Sequence, residues 1–144
     1  MNVLKVAEVP PTVVSPATTV LETIGAMVRN RVGAAAVIDQ GTLVGIFSER
    51  DVMTRLVLPG KAADKILVAE VMSAPVETIG PDADGDEALA LMIDRHIRHL
   101  PIVDAEGKVL GMLSIRNLLQ RHVEDLSEEV QSLDSYLTAD GIGG

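Results

Sequence analysis

The sequence contains no cysteine and no tryptophan, and its aromatic side chains are limited to Phe47 and Tyr136. Without cysteine, disulfides and thiolate catalysis are excluded, and a zinc site would rest on three scattered histidines and carboxylates. With so few aromatics, a core must be filled by Val, Ile, Leu, Met and Ala, which suits strands covered by helices. No apolar run approaches the ~18 residues of a membrane span. The opening MNVLKVAEVPP lacks the basic and long apolar stretches of an export signal, so the expected location is cytoplasmic. Lys and Arg are absent from residues 122–144, which hold six of the 21 acids. The net charge of −9 therefore sits mainly in the tail, leaving 12 bases against 15 acids in residues 1–121. Overall acidity argues against nucleic-acid binding, whereas a nearly balanced body can hold a small anion through local arginines and helix ends.

What the chain does contain is an internal repeat. A shift of 65 lays Pro16 on Pro81, Glu22 on Glu87, Met27 on Met92 and Asp39 on Asp104. After one extra residue, Gly45 falls on Gly111, Ser48 on Ser114 and Arg50 on Arg116. VAEV also occurs at 6–9 and 68–71, three residues out of that register. Agreement in order over roughly forty positions marks two copies of one supersecondary unit. At 144 residues, the two copies are expected to share one core.

Each copy has the same local grammar. Thr19 to Glu22 and Asp84 to Glu87 have the spacing of helix N-terminal capping boxes. Val20, Ile24, Met27 and Val28, and later Leu89, Met92, Ile93 and Ile97, recur at helical spacing and predict buried faces. Strands are predicted at 34–39 and 99–104, each joined by a turn to a second strand at 43–48 or 109–114. Closing helices are predicted from Glu49 to about Leu58 and from Ile115 to about Val123. With extended segments at 12–14 and 76–79, the fold class is α/β (α+β): tandem β-α-β-β-α units about a pseudo-twofold axis. The expected division is a first unit at 6–60, a connection at 61–75, a second unit at 76–123 and an acidic helix and tail at 124–144. Two related clefts follow from the pairing.

Gly45-Ile-Phe-Ser-Glu-Arg-Asp51 and Gly111-Met-Leu-Ser-Ile-Arg-Asn117 stand where a strand gives way to a helix. Glycine permits a close approach to the backbone, and the helix start offers N–H groups to an anion. Ser48 and Asp51, or Ser114 and Asn117, lie one turn apart and could meet neighbouring ribose hydroxyls, with Arg50 or Arg116 on phosphate. The same Ser-x-x-Asp pattern is also an ordinary helix cap, and spacing alone leaves both readings open. Arg98 and His99 precede a strand beside the cleft, where they could reach phosphate or stand as solvated loop charges. His96 and His122 read as helix-surface residues without metal-ligand spacing, and Met27 and Met92 as core fillers.

These segments, with RHLPIVD and VMSAPVETIGPD, resemble the cystathionine-β-synthase (CBS) domain family, whose tandem pair is called a Bateman module. The resemblance covers about residues 6–123. It implies paired β-α-β-β-α units, a regulatory role in signal transduction, adenosine-containing ligands such as AMP, ATP or NAD, and association as a flat homodimer. It places ribose contacts at Ser48 and Asp51, and at Ser114 and Asn117. It lines the base with positions 12–14 and 76–79, including Thr12, Val14, Thr78 and Ile79, and with Ala35, Ala36, Leu100 and Pro101. Asn117 departs from the commoner Asp, and Gly33-Ala34 face Arg98-His99 in the other copy, so the clefts are expected to be unequal. The dominant one is built on Asp51 and borrows Arg98 or His99 across the pseudo-twofold.

Beyond His122, Val123, Leu126, Val130, Leu133 and Leu137 define an amphipathic helix with an acidic opposite face, expected to fold back on its own module, with TADGIGG frayed. A second chain or an effector protein are the other partners it could take. Two further functions stand beside nucleotide sensing: a structural dimerisation module with empty clefts, and an enzyme. The last has the least support, since neither serine has an evident relay and Asp82, Asp84, Asp86 and Glu87 read as helix-start charge. No catalytic residue, metal or catalytic cofactor is expected.

Overall fold

The computed structural model describes residues 1–141, with side-chain environments through Thr138. Its first unit contains β1 (Val13–Val14), α1 (Val20–Asn30), β2 (Ala34–Asp39) and β3 (Thr42–Ser48). It closes with α2, which starts at Glu49–Asp51 and continues as a wider π turn over Val52–Val57. The second contains α3 (Gly85–Arg95), β4 (His99–Val103), β5 (Val109–Ser114) and α4 (Ile115–Gly141). β1 pairs parallel with β2, and β2 antiparallel with β3; β4 and β5 form the second hairpin.

Local chemistry sets the boundaries as expected. Thr19 Oγ1 accepts from Glu22 N at 3.2 Å, and Asp84 accepts from Asp86 N at 3.1 Å, so each repeat's first helix has an oxygen cap. Both helices end on a left-handed residue, Arg31 at φ 56° and His96 at φ 55°, again 65 positions apart. The second copy's expected leading strand at 76–79 is reduced to one bridge, Ile79 to Ile102, because only Ile79 faces the β4 backbone in register.

The expectation of a single shared core is corrected. Val20, Met27, Ala35, Val37 and Phe47 form one core, while Ala88, Met92, Leu100, Ile102, Leu113 and Leu118 form another. A third cluster, Ala34, Ala36, Val109 and Met112, joins the two sheets across the pseudo-twofold. Two cores are possible because each unit is finished by chain from outside it. Residues 66–71, expected as a connection, bury Ile66, Val68 and Val71 in the first core, and Ser73 bridges to Ile46 of β3. The N-terminal segment does the converse: Val3 is buried in the second core and Glu8 bridges to Met112 of β5.

The same crossing accounts for the three-residue offset of VAEV from the repeat. The one-turn 3-10 helices Val3–Lys5 and Val68–Glu70 are the true counterparts, so Val3 corresponds to Val68 and Val6 to Val71 at the 65-residue shift. The four-letter identity is offset from the structural equivalence by three residues.

The tail departs most from expectation. The second unit's closing helix and the acidic helix are one element of 27 residues. It does not fold back: no described residue after Leu118 is buried. Residues 138–141 continue the helix, and 142–144 lie outside the described residues.

Candidate functional site

The pseudo-twofold brings the two strand-to-helix junctions together at one end of the sheets. Ala34 pairs with Ser48 and His99 with Ser114, so each junction lies beside the start of its own hairpin. Glu49 N donates to Gly33 O at 3.0 Å and Ile115 N to Arg98 O at 2.9 Å, fixing the two helix starts alike.

In the first unit the centre is Asp51, the one charged side chain that is buried among the described residues, at 5% exposure. Burying a carboxylate is costly unless donors surround it. Asp51 Oδ2 accepts from Ser48 N at 2.9 Å and Ser48 Oγ at 3.2 Å. Its Oδ1 accepts from Ser73 Oγ at 2.9 Å and lies 3.6 Å from Arg55 Nε. Arg55 Nη1 donates to Met72 O at 2.8 Å, so Asp51 and Arg55 together hold residues 72–73. Capping and a hydroxyl-ringed carboxylate are thus the same geometry. Ser73 and Arg55 escaped sequence reasoning; Ser73 was visible only as part of VMSAP, and its contact depends on the chain crossing.

The second junction is built differently. Ser114 Oγ accepts from Asn117 N at 3.1 Å, a simple cap without a carboxylate. The register partner of Ser73 is Glu8, whose carboxylate accepts from Thr12 N at 3.0 Å and Thr12 Oγ1 at 3.1 Å. The first site therefore carries its acid on the helix and a hydroxyl on the crossing segment. The second carries an amide on the helix and the acid on the crossing segment.

The glycines of the two motifs have a structural occupant. A methyl group on Gly45 would press on Met72, standing 2.8 Å from Cγ, and one on Gly111 would stand 2.9 Å from the Glu8 carbonyl oxygen. The backbone approach read from the sequence is that of the crossing segments.

The other expected site residues divide. Thr12 is buried, holds Glu8, and accepts from Asn30 Nδ2 at 2.9 Å. Its carbonyl accepts from Ala36 N at 2.8 Å. Ala35 and Val14 point into the first core and Ile79 into the second, while Ala36 lies in the inter-sheet cluster. Pro101 is buried and its carbonyl accepts from Ile79 N at 3.0 Å. Thr78 lies apart, lining an open depression of about 700 Å³ with Leu43, Val44, Pro75, Val76 and Val103.

Arg50, Arg98 and Arg116 are exposed and make no ion pair among the described residues. His99 crosses to the first unit: a methyl group on Gly33 would stand 3.1 Å from His99 Nε2 and 3.2 Å from Glu49 Oε1. Burial pushes the His99 imidazole below its ordinary range, Glu49 opposes that shift, and Arg98 adds to it. No helix among the described residues is long and apolar enough to cross a membrane.

Comparison with known proteins agrees with this architecture. The CBS domain pattern matches residues 6–58 and 68–124. A Methanopyrus kandleri protein is 33% identical over 127 residues, covering 85% of the chain and 65% of that protein. The CBS domain-containing mitochondrial protein CBSX3 of Arabidopsis thaliana is 31% identical over 124 residues, covering 83% of the chain and 60% of that protein. The chain thus spans less than two thirds of these two relatives. A CBS domain protein of Pyrobaculum aerophilum, solved with AMP, superposes at TM-score 0.73 with 26% identity, covering 81% of the chain and 89% of that structure.

Proposed function

The chain belongs to the CBS domain family, and on that footing we propose that it is a non-catalytic regulatory module that binds an adenosine-containing nucleotide at Asp51. The observation that carries this reading is the buried Asp51 carboxylate, ringed by the hydroxyls of Ser48 and Ser73 at a helix start. A ribose presents two adjacent hydroxyls, the same donor type in the same number. It can take the place of those serines on the carboxylate without leaving a buried charge unpaired. Exposed Arg50, with Arg98 from the second unit, supplies cations for phosphate. That the Pyrobaculum relative was solved with AMP supports the ligand class.

Binding of this kind has a route to a signal. Ser73 belongs to the segment between the units, so a ribose that replaces its hydroxyl on Asp51 removes one tie of that segment, leaves the Ile46 and Arg55 ties in place, and gives the ligand unequal affinity for two arrangements of the Ser73 side chain. The test is heat unfolding of the chain with millimolar AMP, ATP, NAD or S-adenosylmethionine. At least one is expected to raise the midpoint, and the rise to vanish in Asp51→Ala. An unmoved midpoint with all four compounds overturns the proposal in favour of a structural dimerisation module.

A further inference from the structure

We propose that the C-terminal part of α4 is one strand of an antiparallel coiled coil, its partner a second copy of this chain. Six apolar residues, Leu119, Val123, Leu126, Val130, Leu133 and Leu137, follow one another at intervals of four, three, four, three and four. That alternation is the narrow seam of a paired helix rather than the broad face a helix lays on a sheet. All six are exposed, between 45% and 65%, and the helix is held away from its own body. A helical stretch that buries nothing is marginal in water, so the seam requires a cover.

The seam is complementary to itself. In the antiparallel register centred on residue 128, Leu119 meets Leu137 of the copy, Val123 meets Leu133, and Leu126 meets Val130, so all six positions are filled. Charge selects this orientation over the parallel one. Glu124, Asp125 and Glu128 fall on the outward side, where Asp125 already lies 3.2 Å from Arg121. Only Glu129 and Asp134 flank the seam among the acids. Parallel strands would set Glu129 against Asp134 on both sides, whereas antiparallel strands create one like-charge contact, Glu129 with its equivalent. Leu118 is buried in the second core, so the seam starts at the body wall. Antiparallel pairing keeps the two bodies about 27 Å apart along the coil, while parallel pairing would set them side by side at one end.

The absence of cysteine makes the register directly readable in the full chain. Val123→Cys combined with Leu133→Cys is expected to give a covalent dimer under mild oxidation, because each thiol faces the other's position on the copy. Either substitution alone is expected to stay uncross-linked. Glu129→Cys, at the crossing point, is expected to cross-link by itself, while Glu128→Cys on the outer side is not. Failure of both the double variant and Glu129→Cys to cross-link overturns the proposal. Cross-linking of Val123→Cys alone, as a parallel coil requires, overturns it equally. The substituted positions lie outside both cores, and an unchanged heat-unfolding midpoint verifies the fold in each variant.

Discussion

Asp51 accepts a 2.9 Å hydrogen bond from the Ser73 hydroxyl, which ties the start of α2 to the segment running between the units. The first prediction concerns this bond. Asp51→Ala removes the acceptor of Ser48 and Ser73 together, and is expected to cost about 1–2 kcal/mol of stability. It is also expected to weaken nucleotide binding about 10- to 100-fold, the scale of hydrogen bonds to a charged group. Asn117→Ala removes a neutral side-chain amide and leaves the Ser114 cap, made by the Asn117 backbone N–H, in place, so it is expected to cost less in both. Titration calorimetry and urea unfolding read the two effects; equal affinity losses would refute the inequality of the clefts.

Gly45 and Gly111 are equivalent in sequence but not in consequence. Alanine at 111 meets a backbone carbonyl, Glu8 O at 2.9 Å, whereas alanine at 45 meets mainly the flexible Met72 side chain. Gly111→Ala is expected to destabilise by about 1–3 kcal/mol, and Gly45→Ala by distinctly less, since methionine can repack. Urea midpoints of the two variants decide it.

His99 gives stability a pH dependence. Its pKa is lowered in the folded chain, so below about 6.5 the unfolded state binds the proton more readily. The stabilisation is fully present above that value. It is lost as pH falls from there through the lower folded pKa. His99→Gln is expected to flatten the acid side of the profile below about pH 6.5 while leaving the slope at pH 7–8 unchanged, as urea unfolding on both sides of that value would show.

Cutting the chain between residues 60 and 61 separates each core from a segment that completes it. The first half lacks Ile66, Val68 and Val71, and the second lacks Val3. Each half alone is expected to show no cooperative unfolding transition by circular dichroism, and mixing the two to restore one. A cooperative transition in either isolated half would contradict the crossing.

The repeat made the architecture legible because helix caps, apolar spacing and strand-to-helix junctions are local signals. Thr19, Asp84, Gly45 and Gly111 could be read directly. The contacts of Ser73, Arg55 and Glu8 could not, since they depend on segments crossing from one unit to the other. The offset of VAEV from the repeat has the same origin. Glu8 holds Thr12 from a bridge on β5, whereas Glu70 Oε2 accepts from Leu67 N at 2.7 Å within its own turn, so the same letters perform different tasks. The tail's apolar spacing was legible, but spacing says that a face needs cover and not which surface supplies it.

The position of Val3 also imposes an order in time. During synthesis Val3 and Glu8 emerge well before β5, yet Val3 is buried among strands whose last residue is Ser114, and Glu8 pairs with Met112. The opening segment must wait for about a hundred further residues before it can leave water, and only then is the second core closed. A chain that stops short of β5 keeps that segment exposed, so the second core closes only after β5 has been made.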